Sequence, residues 1–274
     1  MSLLGEQRRE LIVEQVRERG AVRVSELAEH LSVSEMTVRR DLDVLARRRL
    51  VDKVHGGATA VGELGSERLG EPAGHGTDEP EFAAKADRER REKEAIAAEA
   101  ARLVEPGAAI GLSAGSTTWR LASLLARVPR LTVVTNSLVV ADALYSGGAE
   151  ARGSTVILTG GVRTPSEALV GPVAVGSLRS VNLEIVFLGV HGMSAAAGYS
   201  TPNLTERDTD RALVDAGQSL VVVADHTKWG GVGISTIAEL GEADVLVTDD
   251  GLPEDGRAVL ESEVGRVILA RPGT

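Results

Sequence analysis

Three short stretches at the start of the chain show the apolar spacing of a helix. The first stretch ends at Gly20, and Ser25 and Ser34 are placed to cap the second and the third. After them, residues 50–55 alternate apolar and polar side chains and stop at two glycines, which predicts a small β-wing. The apolar stripes of the three helices are Leu11, Ile12 and Val16; Leu27, Ala28 and Leu31; and Val38, Leu42 and Leu45.

The rest of the chain predicts a second, larger domain. Residues 59–80 are rich in Gly, Glu and Pro and are expected to form a linker, followed by a charged helix over residues 81–104. Apolar strands then alternate with helices, which is typical of a parallel sheet covered on both faces. The expected architecture is α/β, with a winged helix-turn-helix in residues 1–58 and a doubly covered, mostly parallel-sheet effector domain in residues 81–274. The predicted strands are 108–112, 131–135, 155–158, 185–190, 220–224, 245–248 and 266–270, and the predicted helices are 117–126, 138–145 and 204–216.

The net charge of −10 argues against a nucleic-acid partner only until its distribution is considered. Residues 1–58 hold 11 lysines and arginines against 10 acidic residues, whereas the remainder holds 19 against 30. Because the acidity lies away from the three-helix segment, it does not exclude DNA binding. The chain has no cysteine and no apolar run of membrane-spanning length. We therefore expect a cytoplasmic protein that has no membrane partner and needs no metal or cofactor.

The second and third predicted helices are spaced as in a helix-turn-helix, whose second helix lies in the major groove of DNA. With its apolar stripe facing the core, the third helix leaves polar and basic side chains on its open side. Arginine can bind guanine or clamp a phosphate, and the wing can extend the phosphate contacts. The predicted DNA-binding residues are Ser34, Glu35, Thr37, Arg39, Arg40, Lys53 and His55. A solvated charged helix face would show the same pattern, so the residues alone leave that alternative open.

Polar loops follow several of the predicted strands. Residues 113–118 combine glycine with Ser and Thr hydroxyls where a helix begins, an arrangement whose backbone N–H groups bind anions. Further loops contain Asn136, the pair Gly160 and Gly161, and the segment that runs from Asp225 to Lys228. Because open α/β sheets bind ligands at the carboxyl ends of their strands, these loops are expected to meet at one ligand. A serine-capped turn without a ligand explains residues 113–118 equally well.

Two further features accompany these loops. Residues 203–206 fit a capping box, which gives Glu206 a structural role first and a ligand role second. Trp119 and Trp229 directly follow Thr118 and Lys228, so the sequence predicts that both tryptophans flank the ligand.

Residues 8–58 resemble the winged helix-turn-helix of the DeoR family of bacterial regulators. The stretch Val33-Ser34-Glu35-Met36-Thr37-Val38-Arg39-Arg40-Asp41-Leu42 is similar to the family's recognition helix, and Val54-His55-Gly56-Gly57-Ala58 is similar to the end of its wing. One departure is Arg48-Arg49-Leu50, where the family usually has a glycine before the wing. The resemblance covers the chain outside the linker and implies a DNA-binding regulator, with repression relieved by an effector.

The remainder resembles the family's effector domain, which is similar to ribose-5-phosphate isomerase. This resemblance implies a phosphorylated sugar or sugar-like effector. The phosphate would lie on Ser113, Gly115, Ser116, Thr117 and Thr118, aided by Lys228, and the rest of the effector would lie near Asn136, Gly160, Gly161, His191, Glu206 and Asp225. His191 stands where many family members have Asp, so it is either a ligand contact or an ordinary loop histidine.

Two other functions are compatible with parts of the sequence. An aldose–ketose isomerase needs a positioned general base, and Glu206 and Asp225 could supply carboxylates, although residues 189–194 contain none. A purely architectural DNA binder would not need so large an α/β domain. The favoured interpretation is a non-enzymatic repressor of a carbohydrate operon. It would bind double-stranded operator DNA as a homodimer or homotetramer, because one winged module supplies little specificity.

Overall fold

A computed structural model describes residues 5–19, 21–31, 33–47, 50–54, 57–59 and 82–273. The chain divides into two compact units, one up to Glu71 and one from Pro72 onward, and each is described by itself. Within the described ranges, no helix combines the length and the apolar character needed to cross a membrane.

The first unit is three helices with a small antiparallel sheet. Its core is built mostly from the predicted stripes: Ile12, Val16, Leu27, Leu31, Val38, Leu42 and Leu45 are all buried. Leu11 is 38% exposed, so its assignment to the stripe was wrong. The central strand of the sheet pairs with the other two. The elements are α1 (Gly5–Arg19), β1 (Ala21–Arg23), α2 (Val24–His30), α3 (Glu35–Arg47), β2 (Asp52–Val54) and the central β3 (Gly57–Thr59).

Three details of this unit differ from the sequence expectation or extend it. Helix α2 begins at Val24, so Ser25 lies inside the helix and the prediction that it caps α2 was wrong. Strand β1 was not predicted and makes the wing sheet three-stranded. Thr59 pairs with Ala21 and Asp52, although the expected boundary at residue 58 assigns it to the linker. Ser32, Arg48, Arg49, His55, Gly56 and residues 60–81 lie outside the described part of the chain.

The second unit is a seven-stranded, fully parallel sheet with helices on both faces, as predicted. The strand order is β15-β14-β12-β9-β4-β5-β6. The sheet strands are β4 (Ala109–Leu112), β5 (Thr132–Thr135), β6 (Thr155–Leu158), β9 (Leu183–Gly189), β12 (Gly217–Val223), β14 (Val245–Asp249) and β15 (Arg266–Ala270). The helices are α4 (Phe82–Asp87), α5 (Arg90–Ala101), α6 (Ser116–Leu125), α7 (Leu138–Ser146), α8 (Pro172–Leu178), α9 (Leu204–Asp215) and α10 (Glu254–Glu263).

Alternating strand residues separate two apolar layers. In β12, Val221 and Val223 pack with α5, α6 and α7, whereas Leu220 and Val222 pack with α8, α9 and α10. This two-sided burial explains why the strands read as continuous apolar runs. Short antiparallel strands that the sequence did not predict complete the domain: β7 (Val162–Arg163) with β8 (Leu169–Val170), and β10 (Gly192–Ser194) with β11 (Gly198–Thr201) and β13 (Ser235–Ala238).

The charged segment after the linker forms two helices, so the prediction of one helix over residues 81–104 was wrong. Helix α4 ends at Asp87, and Glu89 adopts a left-handed conformation with φ of 47° before α5 begins. The Lys93 ammonium donates hydrogen bonds to the carbonyl oxygens of Lys85 (2.9 Å) and Arg88 (2.5 Å). These bonds satisfy carbonyls at the end of α4 that have no partner further along the helix.

Candidate functional sites

Helix α3 begins with the serine cap that the sequence predicts. The Ser34 Oγ atom accepts a hydrogen bond from the Thr37 backbone N–H (3.2 Å) and lies 2.9 Å from Thr37 Oγ1. Val38 and Leu42 point into the core, while Arg40 is exposed and Met36 is 60% exposed. The side chains of Glu35, Arg39 and Lys53 and the whole of His55 lie outside the described structure.

An ion-pair cluster holds α1 against α3. The buried Asp41 carboxylate accepts from Arg8 Nε (2.5 Å) and from a terminal nitrogen of Arg9 (3.2 Å). Because Asp41 lies on the helix face turned to the core, these ion pairs with α1 do not involve the open face of α3. The burial of Asp41 was not predicted. Asp41 lies three residues after Val38 and four residues before Leu45, and this helical spacing could have indicated it.

All predicted effector residues of the second unit except Glu206, which lies on α9 after β11, follow strands of the parallel sheet. Those strands are β6, β5, β4, β9 and β12, which are consecutive neighbours in the sheet and run in the same direction. Their carboxyl ends therefore meet at one edge, where ligands of open α/β sheets bind.

Hydrogen bonds tie three of these loops together. The Ser113 Oγ atom accepts from the Gly189 backbone N–H (2.9 Å), and the Asn136 Oδ1 atom accepts from the Ala114 N–H (2.9 Å). Both side chains are buried. The Ser113 hydroxyl also donates to the Ala114 carbonyl (3.2 Å), so both of its hydrogen bonds stabilise the loops. By contrast, Asn136 Nδ2 is buried and has no hydrogen-bond partner among the described residues.

The first turn of helix α6 has the features of an anion-binding site. Gly115 has a φ of 157°, and a Cβ atom there would lie 3.1 Å from Thr118 Oγ1, which itself donates to the Gly115 carbonyl (3.0 Å). The Thr118 hydroxyl is thereby used within the turn. Among the described residues, the hydroxyls of Ser116 and Thr117 have no hydrogen-bond partner. Backbone N–H groups of the first helical turn have no intrahelical acceptor, so they remain available to an anion.

Lys228 and Asp225 occupy a short turn after β12. The Asp225 Oδ1 atom accepts from the backbone N–H of Thr227 (3.2 Å) and from its hydroxyl, and the Lys228 N–H donates to the Asp225 carbonyl (3.0 Å). The Asp225 side chain is buried, and its Oδ2 atom accepts no hydrogen bond from the residues that the structure describes. The Lys228 side chain is half-buried, with no acidic partner among the residues described.

Behind this turn lies Lys93, which the sequence analysis missed. The distance between Lys93 Nζ and Asp225 Oδ2 is 3.8 Å, and both side chains are almost fully buried. Burial lowers the pKa of the Lys93 ammonium, Asp225 raises it in part, and Lys228 and Arg120 lower it further. A signal was available, because Lys93 falls on the same helical face as Ile96, Ala97 and Ala100.

Glu206 is engaged by the protein itself. Asn203 Oδ1 caps α9 by accepting from the N–H groups of Thr205 (3.0 Å) and Glu206 (3.2 Å). The Glu206 carboxylate accepts from the hydroxyls of Thr164 (3.0 Å), Ser166 and Thr201 (3.4 Å). These bonds hold the hairpin of β7 and β8 to α9, in keeping with the structural role placed first.

The remaining predicted residues contribute mainly backbone. Gly161 has a φ of 126°, and a Cβ atom there would lie 2.5 Å from the Val170 carbonyl oxygen, so the close approach to β8 requires glycine. Gly160 is also in a positive-φ conformation. The His191 N–H donates to the Ser200 carbonyl (3.1 Å) beside β10.

The two tryptophans pack in different core layers, and their expected place beside one effector stays a prediction. Trp119 packs with the layer of α5–α7 and Trp229 with the layer of α8–α10, on opposite faces of the sheet. The ring of Trp119 meets Phe82 edge to face at 5.7 Å, whereas the indole of Trp229 lies against Gly256 of α10. Each ring therefore fills a core position beside its loop.

A separate groove of about 810 Å³ lies between α8 and α9. Its lining includes Arg179, Arg207 and Arg211 together with Asp208 and Asp215, and none of the predicted effector residues. The candidate effector site is thus defined by converging polar groups at the sheet edge rather than by this groove.

Two family models match the chain, one for each unit. Residues 8–63 match the DeoR-like helix-turn-helix domain, and residues 88–250 match the DeoR C terminal sensor domain. Fold and matches together define a helix-turn-helix transcription regulator with a sensor domain. The chain belongs to the DeoR family.

Relatives of this family match along nearly the whole chain. The HTH-type transcriptional regulator YgbI of Escherichia coli (strain K12) is 36% identical over 264 residues, which cover 96% of this chain and 97% of that protein. The glycerol-3-phosphate regulon repressor of the same strain is 29% identical over 255 residues, covering 93% and 94%. Among solved structures, ribose 5-phosphate isomerase A of Methanocaldococcus jannaschii aligns with a TM-score of 0.36, 17% identity and coverage of 50% and 53%. That last likeness is too distant to bear on function.

Proposed function

We propose that this regulator represses a carbohydrate-metabolism operon and that a phosphorylated sugar-like effector, bound at the carboxyl edge of the sheet, changes its affinity for operator DNA. The observation that carries the proposal is the set of unused polar groups at that edge. Among the described residues, they are the Ser116 and Thr117 hydroxyls at the start of α6, the buried Asn136 Nδ2 atom, and the Lys228 ammonium, which has no acidic partner.

Each of these groups suits one part of such an effector. The first turn of α6 offers N–H groups and the positive end of the helix dipole to a phosphate, and Lys228 adds a charge. Asn136 Nδ2 is a donor and Asp225 Oδ2 an acceptor for sugar hydroxyls. Burying such groups without partners is costly, so a ligand that satisfies them gains affinity. The glycerol-3-phosphate regulon repressor of Escherichia coli is named after a phosphate ester, which supports the same class of effector.

We infer that the chain acts without isomerising its effector. An isomerase needs a general base free to take a proton from carbon. The Glu206 carboxylate is occupied by three hydroxyls, and Asp225 is engaged by Thr227 and lies beside Lys93. The loop after β9 carries His191 and no carboxylate. The names of the relatives, which are transcriptional regulators and repressors, support the same conclusion.

The experiment is a calorimetric titration of the full chain with ribose 5-phosphate, fructose 6-phosphate and glycerol 3-phosphate, each paired with its unphosphorylated parent. We expect at least one ester to bind while its parent does not, and Lys228→Ala to weaken that binding by about 1.5–3 kcal/mol. Equal binding of an ester and its parent would contradict the phosphate site.

The same samples, followed by NMR, test the absence of catalysis. The bound ester should remain unchanged during a long incubation with the protein. Conversion of an aldose phosphate to its ketose phosphate would establish an isomerase instead. Light scattering of the full chain tests the proposed homodimer or homotetramer, and a monomer at the concentration that binds operator would contradict it.

A further inference from the structure

Helix α4 is the point where the chain from the DNA-binding unit enters the sensor domain. In the sequence it follows β3 after residues 60–81, and it is the first described element of the second unit. The contacts of this helix therefore decide how firmly the connecting chain is anchored to the sensor domain.

Two cations hold the carboxyl-terminal end of α4. Lys93 Nζ donates to the carbonyls of Lys85 and Arg88, and a terminal nitrogen of Arg120 donates to the carbonyl of Ala86 (2.7 Å). Cations at this end of a helix are favourable because its last carbonyls are unpaired and carry the negative end of the dipole.

The amino-terminal end of α4 is held by an aromatic contact. The ring of Phe82 meets Trp119 edge to face with 5.7 Å between centroids, and the Arg120 guanidinium lies 5.2 Å from the same indole. Such contacts add to the apolar burial of the rings. We call Lys93, Trp119 and Arg120, together with Phe82 and the carbonyls of Lys85, Ala86 and Arg88, the α4 clamp.

Every part of the clamp that belongs to the sensor domain adjoins the candidate effector site. Trp119 and Arg120 directly follow Thr118 in the first turns of α6. Lys93 lies 3.8 Å from Asp225, whose other oxygen holds the turn that carries Lys228. The residues that hold α4 are therefore connected, along α6 and through the pair of Lys93 and Asp225, to the elements that carry the proposed phosphate position.

We propose that the α4 clamp transmits effector binding to the DNA-binding unit by tightening when the phosphate is bound. This inference rests on the proposed function. Lys93, Arg120 and Lys228 are like charges gathered in and beside a buried region, and a bound dianion offsets their mutual repulsion. With that repulsion reduced, Lys93 and Arg120 hold the carbonyls of α4 more strongly, and the connecting chain is anchored more firmly.

The test breaks the clamp at residues that are not predicted effector contacts. Arg120→Met keeps an unbranched apolar side chain of similar length but removes the bond to Ala86 and the ion pair with Glu94 (3.3 Å), and Phe82→Ala removes the aromatic contact independently. Arg102→Met is the matched control, because Arg102 is an exposed arginine directly after α5 and is paired only with Glu99 among the described contacts. All three are made in the full chain.

Two measurements are made with the ester that binds most tightly among ribose 5-phosphate, fructose 6-phosphate and glycerol 3-phosphate. Hydrogen exchange of residues 82–93 should slow at least about threefold on ester binding in the unaltered chain and in Arg102→Met, and less in both clamp variants. Phe82→Ala should bind the ester within threefold of the unaltered chain, and Arg120→Met should bind it more weakly because it lacks one of the charges that the dianion offsets. At saturating ester, the ester-induced change in operator affinity should fall to a third or less in both variants.

The outcomes separate this inference from the proposed function. Clamp variants that bind the ester and keep the full effect on operator affinity would overturn the clamp and leave the effector site intact. Absence of ester binding to the unaltered chain would overturn both. Loss of coupling in Arg102→Met as well would show a general effect of helix arginines and would also overturn the clamp.

Discussion

Lys93 Nζ and Asp225 Oδ2 lie 3.8 Å apart, with 3% and 1% of their side chains exposed. A buried cation and a buried carboxylate at this distance depend on each other, because removing one leaves the other uncompensated. The pair connects α5, which follows α4, to the turn that presents Lys228. It therefore links the stability of the sensor domain to the geometry of the candidate effector site.

This relationship predicts non-additive effects on stability. Asp225→Asn and Lys93→Met should each lower the free energy of unfolding of the sensor domain by about 3–5 kcal/mol. The double variant should lose less than the sum, by 0.5 kcal/mol or more, since neither buried charge then remains. Urea unfolding followed by circular dichroism measures all four proteins, and simple additivity would contradict the coupling of the pair.

The amide of Asn136 offers a conservative test of the anion site. Asn136→Asp keeps an oxygen to accept from the Ala114 N–H but replaces the unpartnered Nδ2 donor with a negatively charged oxygen. We expect the loop to keep its shape and the affinity for a phosphate ester to fall at least tenfold, because like charges repel at a site of low dielectric. Calorimetry gives the affinity, and ester binding equal to that of the unaltered chain would contradict the placement of the phosphate near this loop.

The open face of α3 predicts a salt-dependent loss of DNA binding. Replacing both Arg39 and Arg40 with Ala should weaken operator binding and flatten the slope of log K against log salt by about 0.9 for each phosphate contact removed. Gel-shift titrations at several salt concentrations measure this slope. The matched control Arg102→Ala, in the sensor domain, should leave this slope unchanged. An unchanged slope in the double variant would contradict the assignment of α3 to the DNA interface.

Most of the fold could be predicted because the inner strands of its parallel sheet are largely buried on both faces. Such strands read as apolar runs, and all seven strands of the parallel sheet lie within three residues of their predicted bounds. Helix α3 could be predicted from the stripe of Val38, Leu42 and Leu45, and the wing from the pattern of residues 50–55, although β1 was not predicted. Helices α8 and α10 were missed: α8 has only seven residues and contains Gly176, and α10 has Gly256 in its first turn, so both segments read as loops.

The candidate site was less accessible to sequence reasoning. The loop residues could be predicted from their position after strands, which is a local property. Lys93 could not be placed in the same way, because it stands in a charged run and its partner Asp225 is far away in the sequence. Similarly, two of the three hydroxyls that donate to the Glu206 carboxylate belong to a hairpin about 40 residues earlier. Residues 203–206 alone could therefore not show whether this carboxylate is free to bind a ligand.

The most direct test of the account is the effect of a phosphate ester on operator affinity. An operator can be selected from a random duplex pool by the full chain, and its Kd is then measured by fluorescence anisotropy with and without a saturating ester. We predict a shift of at least fivefold with the ester, no shift with its unphosphorylated parent, and a Lys228→Ala variant that needs at least tenfold more ester. An ester that saturates the sensor domain and leaves the operator Kd unchanged would contradict the account.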